Sequence, residues 1–449
     1  MFPMCKQPLF VQKTKNFWWK IEMVAMTMKG CLMWLHSQPL FILDMFNLRS
    51  IQIDMKTETA WVETGATLGE VYYIIDEKSK IHAFQVGVWS TVGVGGHISG
   101  GGYGNMMRKY GLWVDNVVDA LMVDVEGKLF DRKSMGEDLF WAITGGGEAS
   151  FGVVLAYKIK LVWVPKTVIV FRVLKTLEQN STDIVYNWHH FAPTINNNLF
   201  ITLVLNVTQN GIKTIRETFV ALFLGDSKSL VSLLNDKFSQ LGLKQSDCIE
   251  TSWLGSVLFS KNTNITALVE VFLNRQPQSV NYLKRKYHYV KKSISKEGLE
   301  GIWRKMIELV DTSLNFNPYG GRMAKIPSTT SHFPHRAGNL WKIQYLANWN
   351  KPGKEVANHY INLTRKLHKY MTHFVSKNPR GAFFNYRDLH LWSNNCNGKN
   401  SYAKGKVYGV KYFKDNFNRL VQIRTKVDPD NFFIVEQSIP MLSYHKLLE

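Results

Sequence analysis

The sequence predicts an α+β protein of two lobes or two domains, on three observations. Between about residues 40 and 165, short β-branched runs alternate with glycine turns. Beyond Pro165, longer strands alternate with amphipathic helices. A hydrophobic content of 45% over 449 residues is ample for packed cores. In chain order, FILDMF, SIQIDM, AWVETGA, DALMVDVEGKLFD and FGVVLAYKIKLVWV read as strands. Among them ATLGEVYYIIDEK is a helix, with Thr67 as cap and Glu70 at the capping-box spacing. SMGEDLFWAIT is another, with Ser134 as cap and Glu137 at the matching place. After Pro165, LFITLVLNVT and ALFLG read as strands of an antiparallel sheet, and SLVSLLNDKFSQLGL as a helix backing it. The final third holds a polar loop, SNNCNGKNSY, and then a helix through KYFKDNFNRLVQIRTKV that stops at Pro429. No repeat or low-complexity block appears.

Composition narrows the function classes. No apolar run approaches the roughly 18 residues that span a bilayer, so no membrane partner is expected. The start, MFPMCKQPLFVQKTK, lacks the pattern of a signal peptide. Cys5, Cys31, Cys248 and Cys396 show neither CxxC nor metal-like spacing, which argues against a zinc site or a disulfide framework. The net charge of +20 is dispersed, its densest cluster being Lys284, Arg285, Lys286, Lys291 and Lys292, and no RNA motif or basic recognition helix accompanies it. Nucleic acid is therefore not an expected partner. Sequons at Asn180, Asn206, Asn264 and Asn362 are usable only on the secretory path.

The most informative stretch is Gly87 to Leu112, GVWSTVGVGGHISGGGYGNMMRKYGL, with nine glycines in 26 residues. Glycine lets main chain approach a ligand closely or adopt positive φ, so the run suggests backbone N–H groups around an anion, a phosphate-bearing cofactor first. It does not fit GxGxxG: starting at Gly100 puts Asn105 at the third glycine, and starting at Gly93 puts Ile98 there. A tight glycine-rich connection at a sheet edge stands as the alternative.

TVGVGGHISGGGYG, DRKSMGEDLFWAITGGGEASFGVV and KVDPDNFFIVEQSIP together resemble the berberine-bridge-enzyme-like flavoproteins of plants. TAWVETGATLGEVYY, MGEDLFWA, FPHRAG and NYRDL are most similar to the cannabinoid-acid synthase branch. The likeness runs from about residue 38 to the C-terminus. It implies a two-lobed PCMH-type FAD-binding fold: an FAD lobe over 38–165, a substrate lobe over 166–385 and a C-terminal segment, 386–449, returning to the FAD lobe. It also implies a monomeric, secreted oxidoreductase that passes hydride from a phenolic or terpenophenolic substrate to flavin and uses O₂ to regenerate it. The flavin-holding residues it implies are Thr91, Val92, Gly93, Gly95, Gly96, His97, Ser99, Gly100, Gly101, Gly102, Tyr103 and Gly104, with Gly152 and Val153 after GGGEASFG. Tyr402, in NSYAKGKVYG, takes the place of the family's proton-accepting tyrosine.

Five positions depart from the family. The cysteine of its GxCPTVG motif falls on Trp89 and the following proline on Ser90. An indole cannot form a thioether with flavin, and its bulk is expected to lie where the flavin ring belongs. The substrate-carboxylate histidine, pocket tyrosine and glutamate of the cannabinoid-acid synthases fall on Val204, Asn317 and Lys342. An amine in place of an acid inverts the local charge. FAD, if held at all, is expected to be held noncovalently, and an inactive relic is the alternative reading.

The other flavin link of the family comes from a histidine in GGHDYEGLSY, where this chain reads MVAMTMKGCLMWLHS. Methionine and tryptophan each have a single codon, so part of the message can be rebuilt. Read from the third base, Met23–Val24 gives Gly, Met26–Thr27 gives Asp and Met28–Lys29 gives Glu. These are the first, fourth and sixth residues of the motif, and permitted codon choices supply the rest. Residues 1–37 are accordingly expected to be out of frame, from a frameshift or a mispredicted gene.

Overall fold

The computed structural model describes residues 18–22, 40–147, 150–208, 213–276, 281–389, 391, 401–433, 435 and 437–442. The segment expected to be out of frame, apart from 18–22, and most of SNNCNGKNSY lie outside them. Strand β1 (Trp18–Glu22) pairs in parallel with β2 (Leu40–Asp44). Strands β3 (Ile51–Asp54) and β4 (Thr59–Glu63) form an antiparallel pair. Helix α1 (Leu68–Lys78) starts at the expected box: Glu70 N–H donates to Thr67 Oγ1 at 3.3 Å, and Thr67 N–H to the Glu70 carboxylate at 2.7 Å. Strand β5 (His82–Ala83) leads into the glycine run, which carries two short turns, α2 (Val94–Ile98) and α3 (Met107–Tyr110). Strands β6 (Val117–Val123) and β7 (Leu129–Phe130), helix α4 (Arg132–Ile143), and strands β8 (Val153–Lys160) and β9 (Val162–Trp163) follow. A five-stranded antiparallel sheet of order β3-β4-β8-β6-β7 results.

Helix α4 corrects one expectation. Its cap is Asp131, whose carboxylate accepts from Ser134 N–H at 2.8 Å; Ser134 is the third residue of the turn, and the helix bends at Gly136, where φ is 74°.

The second lobe comprises β10 (Val168–Thr176), α5 (Ser181–Phe191), β11 (Leu199–Thr208), β12 (Thr214–Phe223), α6 (Ser227–Lys237), β13 (Ile249–Thr251), α7 (Trp253–Ser260), β14 (Tyr282–Val290), α8 (Lys296–Leu309), β15 (Ser313–Pro318), α9 (Arg322–Lys325), β16 (Trp341–Trp349) and α10 (Lys354–Tyr370). Its strands make one antiparallel sheet of order β13-β10-β12-β11-β15-β16-β14. Period-two alternation sorts its two faces. Leu203, Leu205, Phe316, Trp341 and Ile343 face the helical layer and share a core with Trp188 of α5, Trp303 of α8 and Leu367 of α10. Thr202, Val204, Asn317 and Lys342 face the other way, toward the first lobe.

Two further departures matter. Helix α7 and the turn Val269–Leu273, inside the stretch expected to be substrate lobe, also reach the first lobe, while Arg172 of β10 donates to Phe259 O of α7 at 3.2 Å. Tyr72 of α1 meets Trp253 edge-on at 5.3 Å and Phe272 at 5.6 Å, and Arg275 pairs with Glu70 at 2.6 Å. The single C-terminal helix divides into α11 (Tyr402–Phe413) and α12 (Asn416–Val427), broken at Lys414, which takes φ 46°. α12 lies on α4, with Arg419 2.7 Å from Asp138.

Glu217 of β12 is fully buried beneath the start of α5. Ser181 Oγ donates to one of its oxygens at 2.8 Å, and the other has no partner among the described residues. Burial raises its carboxyl from 4.5 to about 8, against the Ser181 hydrogen bond. A raised folded-state value means that stability is fullest below the unfolded value and falls as pH rises through the folded one, at about 1.4 kcal/mol per unit between them. Glu217→Gln is therefore expected to melt at the wild-type temperature near pH 5 and progressively above it toward pH 8. Parallel melting curves across that range would overturn the assignment.

Candidate functional site

The glycine run is used first to pack chain against chain. Gly95 N–H donates to Thr64 O at 3.1 Å and Gly101 N–H to Ile98 O at 2.8 Å, so these donors are not presented to a ligand. A Cβ on Gly100 would fall 1.8 Å from Asn385 Oδ1, and one on Gly102, at φ 70°, 2.3 Å from Trp113 Cβ. Gly104 abuts the carbonyl of Val86 in the same way. The expected anion cradle is thus narrower than the run. Among the described residues, the N–H groups of Thr91, Gly93 and Gly96 meet no acceptor, and Gly96 is exposed. Thr91, Val92 and His97 are half-buried around them, while Ser99 is buried and its hydroxyl donates to Gly96 O at 3.0 Å. Gly152 and Val153 are not brought to this cleft by their contacts. A Cβ on Gly152 would meet Met122 and Val123 of β6, and Val153 packs with Met45 and Phe433.

His97 Nε2 accepts from Gly87 N–H at 3.2 Å, which fixes that nitrogen as the lone-pair side, and Asn385 Nδ2 donates to His97 O at 2.8 Å. Burial and then the charge of Lys342 lower the imidazole to about 3, so it is neutral at physiological pH.

Lys342 is the centre of the cleft. It is 1% exposed, and its Nζ lies 3.7 Å from the ring centroid of Tyr103, 4.4 Å from Phe383, 5.3 Å from Tyr386 and 5.9 Å from Tyr287. No carboxylate pairs with it among the described residues. Burial lowers it to about 7, which makes the free amine available near neutrality. The Tyr103 hydroxyl is buried without a partner, and burial raises it well above its ordinary value, followed by the nearby Tyr319 and Tyr386. Register places Asn317 and Tyr289 opposite Lys342 on its two neighbouring strands, and Tyr287 opposite Gln344, whose Nε2 donates to the Tyr287 hydroxyl at 2.5 Å. Asn317 Oδ1 accepts from Thr202 Oγ1 at 3.2 Å. Val204, half-buried two residues on, offers only methyl groups.

Tyr402 is elsewhere. It begins α11, donates to Asn418 Oδ1 at 2.8 Å and packs on Phe417 of α12, and none of these contacts belongs to the Lys342 cage. The tyrosine that the structure brings to the cleft is Tyr386 of NYRDL, stacked on Tyr287 at 4.2 Å and 7°. NYRDL was visible in the sequence as a likeness, but nothing in its spacing assigned its tyrosine a role. Trp89 is 59% exposed, so the indole stands open at the rim instead of filling the cleft.

The Tyr386 segment is pinned by Asp388. Lys284 Nζ lies 2.7 Å from its carboxylate and Lys286 is also bonded to it. Asp388 N–H donates to the Tyr412 hydroxyl at 3.1 Å, and Gln437 Nε2 donates to Asp388 O at 3.2 Å. Burial works to raise this carboxyl, but the two ammonium groups override it and hold it well below the ordinary carboxylate range.

A glycine-lined cleft with free main-chain donors, a neutral histidine and a caged amine, lying between an α+β lobe and an antiparallel sheet, defines a cofactor-dependent enzyme of the two-lobed flavin-binding class. Comparison with known proteins agrees. A family described as "FAD binding domain" matches residues 32–132, and one described as "Berberine and berberine like" matches residues 382–440. "Berberine bridge enzyme-like 8" of Arabidopsis thaliana is 59% identical over 409 residues, covering 90% of this chain and 77% of that relative. The solved structure of berberine bridge enzyme from Eschscholzia californica has a TM-score of 0.90 at 33% identity over 97% of this chain and 87% of its own. A Phl p 4 variant described as a glucose oxidase has a TM-score of 0.93 at 38% identity over 99% and 89%. The chain belongs to the berberine-bridge-enzyme-like family of FAD-dependent oxidoreductases, and FAD is its cofactor. The free N–H groups of Thr91, Gly93 and Gly96 fit that group.

Gly100→Ala is expected to displace Asn385 and break its bond to His97 O, with a destabilisation of about 1–3 kcal/mol and reduced flavin content. A thermal melt and a flavin-to-protein absorbance ratio equal to wild type would contradict the close approach.

Proposed function

We propose that the protein is a flavin oxidase that removes hydride and a hydroxyl proton from a small phenolic substrate, with O₂ as final acceptor. Lys342 and Tyr103, not Tyr402, serve the proton. The observation that carries this reading is the buried Lys342 amine among four aromatic rings, with no carboxylate beside it and a tyrosine hydroxyl near it without a partner among the described residues. FAD, when bound, supplies the hydride acceptor.

The rings of Tyr103, Tyr287, Phe383 and Tyr386 provide apolar walls suited to an aromatic substrate. The Tyr103 hydroxyl, held protonated by burial, is free to bond the substrate oxygen. Lys342, with its amine free above about pH 7, takes the proton that the substrate loses. Asn317 and Gln344 add neutral polar contacts on the same face. The terpenophenolic substrates of the cannabinoid-acid synthases are a narrower version of this reading. Val204, which removes a carboxylate-binding histidine, favours a neutral phenol over a phenolic acid.

Since Lys342 must be uncharged to accept the proton, kcat/KM for a phenolic alcohol probe is expected to rise with pH through about 7. Lys342→Met is expected to lower it about 10²–10⁴-fold and to remove that rise, whereas Tyr402→Phe leaves both intact. A pH profile unchanged in Lys342→Met would remove Lys342 from the chemistry.

Trp89, in place of the family's linking cysteine, supports noncovalent flavin, and also a second reading in which the chain retains little flavin and does not turn over. Acid precipitation of the purified protein separates these. Flavin released to the supernatant is the expected result, flavin retained in the pellet would overturn noncovalent binding, and absence of flavin bands would favour the inactive reading.

A further inference from the structure

The turn that carries Trp89 is held on both sides, and its indole is held on neither. On one side, Gly87 N–H donates to His97 Nε2 at 3.2 Å, and Gly87 O accepts from the Tyr72 hydroxyl. On the other, Ser90 is 3% exposed. Its carbonyl accepts from Gly69 N–H at 2.9 Å at the start of α1, and its hydroxyl accepts from Lys261 Nζ, just past the end of α7, at 3.0 Å. Val92 N–H closes the turn on Trp89 O at 3.2 Å, and Val92 O accepts from Leu68 N–H at 2.9 Å. The backbone at Trp89 is thus fastened to two helices. The side chain, 59% exposed, makes no ring contact and no hydrogen bond among the described residues.

Tryptophan is highly buried on average, and its indole carries one of the largest apolar areas of any side chain. An indole left in water on a rigid support is a face with burial still to gain, and a fixed backbone lowers the ordering cost of covering it. The same turn presents the N–H groups of Thr91 and Gly93 without acceptors among the described residues. Free donors and a free aromatic face on one turn match a ligand that carries acceptor oxygens beside a flat ring. FAD is such a ligand. Its isoalloxazine is broad, planar and electron-poor, which complements the electron-rich indole.

We propose that the indole of Trp89 lies against the flavin ring and holds it by face contact, doing without a bond what the family's cysteine does with one. The inference rests on the noncovalent reading of the flavin and on nothing in the Lys342 cage. An electron-rich ring against a flavin also quenches its emission, so fluorescence reports the contact directly and needs no turnover.

Titrating FAD into the full chain freed of flavin, with ADP in parallel, tests it. ADP shares the anionic half of FAD and lacks the ring. Wild type is expected to bind FAD with quenched emission. Trp89→Ala is expected to bind FAD at least about tenfold more weakly and to leave the bound flavin brighter, at an unchanged Kd for ADP. Trp89→Phe keeps a flat ring of poorer electron-donating power, and is expected to retain most of the affinity and lose most of the quenching. Equal FAD affinity and emission in wild type and Trp89→Ala would mean that the indole does not touch the flavin, and tighter FAD binding by Trp89→Ala would mean that it obstructs the site; either result overturns the proposal. Wild type that binds ADP and no FAD overturns it as well. Flavin that acid leaves bonded to the chain would overturn the noncovalent reading beneath it, a failure seen before any variant is compared. Should Trp89→Ala lose ADP binding too, Trp89→Leu, apolar but not planar, gives the same readout.

Discussion

One buried carboxylate holds the catalytic half of this molecule together. Asp388 joins Lys284 and Lys286 of the edge strand β14 to the Tyr412 hydroxyl of α11 and the Gln437 side chain, tying the large sheet to the C-terminal segment at one point. Loss of the acid would strand two buried ammonium groups, a class of change that costs about 3–5 kcal/mol. Tyr386, two residues earlier, depends on that anchor for its stacking on Tyr287, and the Lys342 cage depends on Tyr386. The basic cluster Lys284–Arg285–Lys286 thus serves as an internal fastening along the edge strand. Arg285 itself caps Ala347 O and Asn348.

The large sheet divides its labour by alternation. One face is closed by tryptophan, leucine and phenylalanine under three helices. The other carries amides, a threonine, tyrosines and one lysine, unusual for a surface buried between lobes. An amine buried among rings with no acid loses much of its preference for the charged form, which turns an ordinary surface residue into a group that titrates near neutrality. Neutral His97 completes a cleft whose protonation states rest on burial more than on ion pairing.

Much of this was legible in the sequence. The strands of the first lobe, the Thr67–Glu70 box and the antiparallel sheet backed by helices follow from period, caps and glycine turns. The resemblance carried the family and the cofactor. Three things were hidden for physical reasons. Asp131 and Ser134 stand three residues apart and both favour caps, so the choice between them was settled by the bend at Gly136. The return of α7 to the first lobe depends on Tyr72 meeting Trp253 and Phe272, contacts about 200 residues distant in sequence. Likeness points to Tyr402 as the proton acceptor, and its contacts to Asn418 and Phe417 lie apart from the Lys342 cage. Lys342, read as a charge inversion, becomes chemically useful only through a cage drawn from four segments, which no local pattern reports.

The order of that assembly has a bearing on how the protein is made. Lys342 and the glycine run leave the ribosome well before Phe383, Tyr386, Asp388, Tyr412 and Gln437, and the central sheet joins β10 to β16 by long-range pairings that form slowly. During synthesis the polar face of the sheet therefore stands open, with an uncovered amine and unstacked tyrosines, until the last segment folds back over both lobes. A nascent chain of this kind has its active cleft as its last-formed part, so a pause or a nick near the C-terminus yields two nearly complete lobes and no site.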